Sequence, residues 1–164
     1  MKDLFYIEQH KRFPEIVNAV IVADRGVSAV PIYSYTNLLN TLFTKSKYTD
    51  IPFYVGVVPR TYDEEYVIPI FIYTEYKLPL FSLVETKPLF YLKFVSDMVY
   101  NVIVGVLTND EYSLTKERVK RDISELFGVD GERLIIESEY KAKAYLIHAN
   151  KLFEKNFILI KKKK

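Results

Sequence analysis

The stretch from Tyr100 to Ile147 constrains the fold of this chain more than any other part of the sequence. Residues 102–107 form a short run of β-branched and apolar residues, which predicts a strand covered on both faces. Thr115 is a suitable N-cap for a helix that ends at Gly128. The apolar residues of that helix fall on one face: Val119, Ile123, Leu126 and Phe127. We therefore predict a strand–helix–strand unit with parallel strands.

Strands are predicted along most of the remaining chain. Residues 17–23 and 27–35 flank a turn at residues 24–26, and we expect them to pair as a hairpin. Further extended segments are predicted at residues 53–58, 66–76, 80–84 and 157–160, helices at 4–13 and 36–43, and either structure at 89–98. The prediction is one α+β domain over residues 1–164, with a mixed, mostly antiparallel sheet and two or three helices, including the C-terminal strand–helix–strand unit.

The segment after the central helix, residues 133–147, supports two structures. Apolar residues alternate with charged ones, which favours a strand with one wet face. The residues of the apolar face are Leu134, Ile136, Tyr140, Ala142, Ala144 and Leu146. The pairs Glu137–Lys141 and Glu139–Lys143 have the i, i+4 spacing of a helix, so a helix is the alternative.

Composition excludes several classes of protein and suggests a source. The chain has no cysteine, so disulfides and thiolate metal sites are excluded. No apolar run reaches transmembrane length and the N-terminus has no signal-peptide pattern, so we expect a cytoplasmic protein without a membrane partner. Abundant lysine and glutamate, with Gln9 as the single glutamine, are typical of heat-adapted proteins. We expect an archaeal or viral source.

The acidic residues offer one catalytic alternative. Glu75 and Lys77 form a Glu-x-Lys triplet at the end of an apolar strand, and Asp50 and Asp63 lie upstream. This layout resembles the PD-(D/E)xK nucleases over roughly residues 50–77. The resemblance implies that Asp50 or Asp63, together with Glu75, holds Mg²⁺ or Mn²⁺ and that Lys77 stabilises the charge developing on a phosphodiester.

Basic and aromatic side chains offer nucleic acid as a further partner. The tail Lys161, Lys162, Lys163 and Lys164 and the helix residues Lys116 and Lys120 carry charges that suit phosphate contacts. Strand tyrosines could stack on bases. The net charge of +2 is nevertheless low for a dedicated nucleic-acid binder.

The two-sided apolar strands carry the main functional prediction. Residues 66–73 and 102–107 need cover on both faces, whereas clearly amphipathic helices are few. The sheet either folds on itself or is completed by a partner surface. We predict a non-enzymatic binding or assembly protein without a cofactor, self-associating as a homodimer or as a subunit of a larger assembly. The metal-dependent nuclease is the alternative.

Overall fold

Eight strands and two helices form the fold in the computed structural model, which describes residues 4, 6–45 and 51–158. The strands are β1 (Val17–Ala23), β2 (Ala29–Tyr33), β3 (Leu38–Phe43), β4 (Tyr54–Val57), β5 (Pro69–Tyr73), β6 (Leu83–Val95), β7 (Val99–Leu107) and β8 (Leu134–Glu137). The helices are α1 (Lys116–Phe127) and α2 (Glu139–Phe153), and α2 runs into a π-helical turn over Glu154–Ile158. The fold is α+β, as the sequence predicts.

Five of the strands close into a barrel in the order β1, β4, β5, β7, β6 and back to β1. The closure depends on β6, whose 13 residues are enough for two partners on one edge. Its first residues pair with β1, from Val17↔Thr86 to Val20↔Leu83. Its last residues pair with β8, from Tyr91↔Glu137 to Phe94↔Leu134. All pairings in this sheet are antiparallel except β5 with β7, so the predicted mixed, mostly antiparallel sheet is confirmed. A small closed barrel of this type is similar to the OB-fold.

Barrel closure also answers how the apolar strands are covered. Every residue of β5 is buried, and so is every residue of β4. A strand in a closed barrel has one face in the barrel interior, and only its outer face needs helices or loops as cover. The sheet therefore folds on itself. This is the first of the two outcomes that the sequence leaves open, and a curved sheet supplies cover that a count of helices does not include.

The strand–helix–strand unit comprises β7, α1 and β8. Thr115 caps α1 by accepting a hydrogen bond from Arg118 N at 3.2 Å, and Gly128 ends the helix in the left-handed conformation with φ 67°. The four apolar residues predicted to face the core are the buried residues of α1. β7 and β8 run parallel, because both are antiparallel to β6, which lies between them.

One predicted helix and one predicted hairpin differ in the structure. Residues 36–43 do not form a helix, since β3 pairs with β2 from Ala29↔Phe43 to Tyr33↔Leu38 in a separate two-stranded sheet. β1 and β2 are not a hairpin, because β1 pairs instead with β4 and β6. Local alternation cannot distinguish these outcomes, because it shows which face is apolar and not which strand lies alongside.

The segment 133–147 divides between the two structures that its sequence allows. Only residues 134–137 form a strand, and α2 begins at Glu139. Tyr140, assigned to the apolar strand face, is 84% exposed, whereas Ala142, Leu146, Ala149 and Phe153 are buried at helical spacing. The helix predicted over residues 4–13 is not observed in the described part of that segment: Leu4 and Tyr6 are in 3₁₀ conformation, residues 11–13 form a turn, and residue 5 lies outside the described residues. Of the strand predicted over 157–160, residues 157 and 158 belong to the π-helical turn, and residues 159 and 160 lie outside the described residues. Within the described residues, neither helix is long and apolar enough to cross a membrane.

Candidate functional site

A polar cluster lies where the loop between β4 and β5 meets β6, β7 and α2. Asp63 Oδ2 accepts hydrogen bonds from Asn101 Nδ2 at 2.7 Å and from Tyr145 Oη at 2.6 Å. Asn101 also donates its backbone N–H to Tyr66 Oη at 2.9 Å and accepts from Tyr91 Oη at 2.5 Å. These five residues are called the Asp63 cluster. It joins four separate elements of the chain.

Local geometry explains why these side chains meet. Asp63 and Tyr66 close a tight turn, in which Asp63 N donates to Tyr66 O at 3.0 Å and Glu64 has φ 57°. Tyr91 pairs across the β6–β7 ladder with Ile103, two residues from Asn101, so Tyr91 and Asn101 are diagonal neighbours on one sheet face. Tyr145 packs against Tyr91 with the two rings tilted by 43° and their centroids 5.0 Å apart. The sheet and α2 thus hold the cluster from both sides.

The phenols of the cluster stay protonated well beyond neutral pH. Burial raises the pKa of Tyr91 to about 12, and the negative charges of Asp63 and Glu137 act in the same direction. Burial is also the largest cause of the raised pKa of Tyr66 and of Tyr145, and the charge of Asp63 adds to both. The cluster is therefore a half-buried carboxylate surrounded by hydroxyl groups that do not lose their protons.

The Asp63 carboxylate is held mainly through one of its two oxygens, and the Tyr66 hydroxyl also interacts with this carboxylate. The hydrogen bonds from Asn101 Nδ2 and Tyr145 Oη both reach Oδ2, and neither reaches Oδ1. A carboxylate held through one oxygen is oriented, so the other oxygen can accept a proton from a bound molecule. The arrangement can supply an oriented general base.

The structure does not bring the residues of the nuclease alternative together. Glu75 and Lys77 are exposed beyond the end of β5, and the parallel register of Tyr73 with Val106 places Glu75 beside Thr108. Asp63 contacts Asn101, at the opposite end of β7. The seven residue steps from Asn101 to Thr108 span about 23 Å along the strand. Asp50 lies outside the described residues. Asp63 precedes β5 and Glu75 follows it, so the length of the strand separates the two carboxylates and they cannot share a site.

Metal binding and nucleic-acid contact find no support in the described residues. Over residues 4, 6–45 and 51–158, no three His, Asp or Glu side chains are placed to hold a metal ion. Lys116 and Lys120 are exposed on α1, while the tail of four lysines at 161–164 lies outside the described residues. Asn101, Tyr91 and Tyr145 were not predicted as site residues. The one available signal was a polar side chain, Asn101, directly before an apolar strand.

A second, smaller polar cluster contains the same residue types and lies on the other face of β7. Asp97 Oδ1 accepts from Tyr100 Oη at 2.6 Å, and Asp97 Oδ2 accepts from Asn40 Nδ2 at 3.0 Å. Asp97 is exposed at the β6–β7 turn. Hydrogen bonds from Tyr100 and Asn40 lower the pKa of Asp97. This cluster is a natural comparison for Asp63, because both carboxylates accept from one tyrosine and one asparagine.

Comparison with known proteins shows similarity of structure alone. No family model matches the chain, and no curated protein sequence matches it. An inorganic pyrophosphatase from Neisseria gonorrhoeae superposes with TM-score 0.71 at 17% identity, covering 93% of this chain and 99% of the other. The pyrophosphatase from Thermus thermophilus has TM-score 0.72 at 15% identity, with the same coverage. The enzyme from Helicobacter pylori has TM-score 0.65 at 13% identity, covering 90% and 98%.

These similarities correct the functional prediction made from the sequence. The matched structures are those of enzymes, which contradicts a non-enzymatic binding and assembly protein. They lend no support to the nuclease alternative or to a nucleic-acid partner. The functional prediction was based on the outcome in which a partner surface completes the sheet, whereas the strands close into a barrel. The chain has the fold of the inorganic pyrophosphatases over almost its whole length.

Proposed function

We propose that this protein is a hydrolase of phosphoanhydrides, with inorganic pyrophosphate as the first substrate to test. One observation supports the proposal above all others: the fold similarity to pyrophosphatases extends over 93% of this chain and 99% of theirs. Similarity that covers both chains end to end leaves little room for a different architecture around the site. Fold alone does not establish activity, so the chemistry has to come from the site.

Asp63 is the residue to which we assign the proton transfer. Hydrolysis requires removal of a proton from the attacking water, and Asp63 Oδ1 is the oriented acceptor in the cluster. Tyr145 and Asn101 are positioning residues, because each donates to Oδ2 and fixes the carboxylate plane. The raised pKa of Tyr145 keeps its hydroxyl a donor throughout the neutral range.

Divalent metal ions commonly assist phosphoryl transfer by neutralising charge on the phosphate oxygens. The described residues do not fit such an ion, since they contain no group of three His, Asp or Glu side chains placed to hold one. Asp63, Glu64 and Glu65 are consecutive in sequence but do not form such a group.

The test is phosphate release from inorganic pyrophosphate, measured with and without added Mg²⁺ or Mn²⁺. We expect turnover by the wild type and a loss of about a hundredfold or more in Asp63→Asn. Asp97→Asn is the matched control, because it alters the second cluster with the same kinds of partners, and we expect it to retain activity. Absence of phosphate release from the wild type under all conditions overturns the proposal. Equal activity of Asp63→Asn and wild type overturns the assignment of Asp63.

Three broader expectations accompany the proposal. The homodimer or larger assembly, the single domain over residues 1–164 and the cytoplasmic location stay predictions. The structure provides a starting point for the first of these, because β3 is the outer strand of the β2–β3 sheet and exposes Leu38, Leu39 and Phe43.

A further inference from the structure

An open pocket of about 320 Å³ lies between the N-terminal segment, the loop at Arg60 and the C-terminal end of α2. Its lining residues are Glu8, Gln9, Phe13, Arg60, Asn150 and Glu154. The volume is in the range of small-molecule sites. The lining combines one guanidinium, two carboxylates, two amides and one aromatic ring.

Arg60 occupies the pocket in a backbone conformation that arginine rarely adopts. Its φ is 65°, in the left-handed region where a side chain costs free energy. Three hydrogen bonds hold the loop in place: Asn150 Nδ2 to Arg60 O at 2.8 Å, Gln9 Nε2 to Pro59 O at 2.9 Å and Tyr62 N to Ala149 O at 3.1 Å. Strain that the surrounding structure enforces is typical of functional positions.

The Arg60 guanidinium keeps most of its donors available. Nε donates to Ile7 O at 3.4 Å, and the guanidinium lies 5.5 Å from the centre of the Phe153 ring. Among the described residues, Arg60 forms no ion pair and its two terminal nitrogens donate no hydrogen bond. A planar, oriented fork of this kind is suited to a carboxylate, which it binds through two parallel hydrogen bonds.

The unused polar groups in the rest of the pocket are acceptors. Gln9 is saturated, because its amide nitrogen donates to two carbonyls and its oxygen accepts from Asn18 N at 3.0 Å. Asn150 uses its nitrogen on Arg60 O, which leaves its oxygen as an acceptor toward the pocket. Glu8 and Glu154 add two carboxylates at the rim. A purely anionic ligand would meet more negative than positive charge there.

We propose that this pocket binds a small zwitterion, an α-amino acid in size and charge, with its carboxylate on Arg60 and its ammonium on Asn150 Oδ1, Glu8 and Glu154. One ligand of this kind would bind both the unused N–H donors of Arg60 and the unused acceptor oxygens of the other lining residues. Phe13 supplies an apolar wall for the ligand's side chain. The inference concerns a site separate from Asp63 and does not depend on pyrophosphate hydrolysis.

The test is the thermal unfolding midpoint with each standard amino acid at millimolar concentration, beside acetate, methylamine and inorganic phosphate. We expect at least one amino acid to raise the midpoint of the wild type, because a ligand bound only to the folded state stabilises it. Acetate, methylamine and phosphate should leave it unchanged. A shift with acetate or phosphate as large as with any amino acid overturns the proposal, as does no shift with any amino acid.

Arg60→Gly removes the fork without endangering the fold, because glycine accommodates φ 65° better than arginine does. We expect it to lose the ligand-dependent shift. Glu64→Gly is the matched control, since Glu64 has φ 57° but does not line the pocket, and it should keep the shift. Glu154→Gln should reduce the shift by removing one charged acceptor. A full shift in Arg60→Gly overturns the assignment.

Discussion

Tyr100 and Asn101 are consecutive residues of β7, yet they belong to two polar clusters on opposite faces of the sheet. Tyr100 donates to Asp97 at 2.6 Å, and Asn101 donates to Asp63 at 2.7 Å. Alternation along a strand sends neighbouring side chains to opposite faces. One dipeptide at the start of β7 therefore connects the β6–β7 turn on one side with α2 and the β4–β5 loop on the other.

Removing one hydroxyl from the Asp63 cluster tests its contribution to stability. Tyr145→Phe deletes the hydrogen bond to Asp63 Oδ2 and leaves a half-buried carboxylate with one donor fewer. We expect a loss of about 1 to 3 kcal/mol in the free energy of unfolding, measured by urea denaturation. Tyr140→Phe is the control on the same helix, because Tyr140 is 84% exposed, and it should change little. Equal effects of the two substitutions would show that the cluster adds no stability.

The raised pKa of Tyr91 predicts a loss of stability in alkali. The unfolded tyrosine releases its proton near its ordinary pKa of 10.0, while burial raises the pKa of the folded one to about 12. The folded state binds more protons between these values, so the free energy of unfolding falls as pH rises from about 10 to about 12. One such group contributes at most about 1.4 kcal/mol per pH unit.

Tyr91→Phe should make this decline shallower, because the substitution removes one of the groups that titrates differently in the two states. The measurement is urea denaturation at a series of pH values from neutral to strongly alkaline. Below pH 10 the stability difference between wild type and variant should not depend on pH. Parallel profiles across the whole range would contradict a raised pKa for Tyr91.

The two helix starts differ in a way that mutation can measure. Thr115 accepts a hydrogen bond from Arg118 N at 3.2 Å, whereas Ser138, at the start of α2, makes no side-chain capping bond. Thr115→Ala should therefore cost about 1 kcal/mol in unfolding free energy. Ser138→Ala is the matched control and should cost less than half as much. A larger loss at Ser138 would contradict the capping geometry.

Gly105 is required where β7 passes the bulge of β6. A Cβ atom at this position would lie 2.5 Å from the carbonyl oxygen of Lys87, and a ladder carbonyl cannot move aside. Gly105→Ala should cost several kcal/mol and perturb the bulge between Pro88 and Phe90. Gly26→Ala meets open space at φ 85°, so only backbone strain of about 1 kcal/mol applies. Thermal unfolding of the two variants separates steric clash from backbone strain.

Elements governed by local rules agree with the sequence. The capping residue, the apolar stripe and the terminating glycine of α1 all lie within about fifteen residues of one another, and each acts on its own neighbours. Segments 36–43 and 139–147 differ from the structure that the sequence favours, because contacts with distant parts of the chain decide their conformation. A six-residue apolar segment is a strand in β3 because β2 lies beside it, and α2 is a helix because its buried stripe matches the surface of β6 and the loop near Arg60.

The sequence by itself determined the α+β class, the central β7–α1–β8 unit and the absence of thiol chemistry, because these follow from residue periodicity and composition. Only the tertiary structure decided that the sheet closes on itself and that Asp63, Asn101 and Tyr145 meet while Asp63 and Glu75 do not. In the sequence, Asn101 lies 38 positions from Asp63 and Tyr145 lies 82 positions from it, yet both donate hydrogen bonds to its carboxylate. Contacts across such distances depend on strand order and register, which no local pattern encodes.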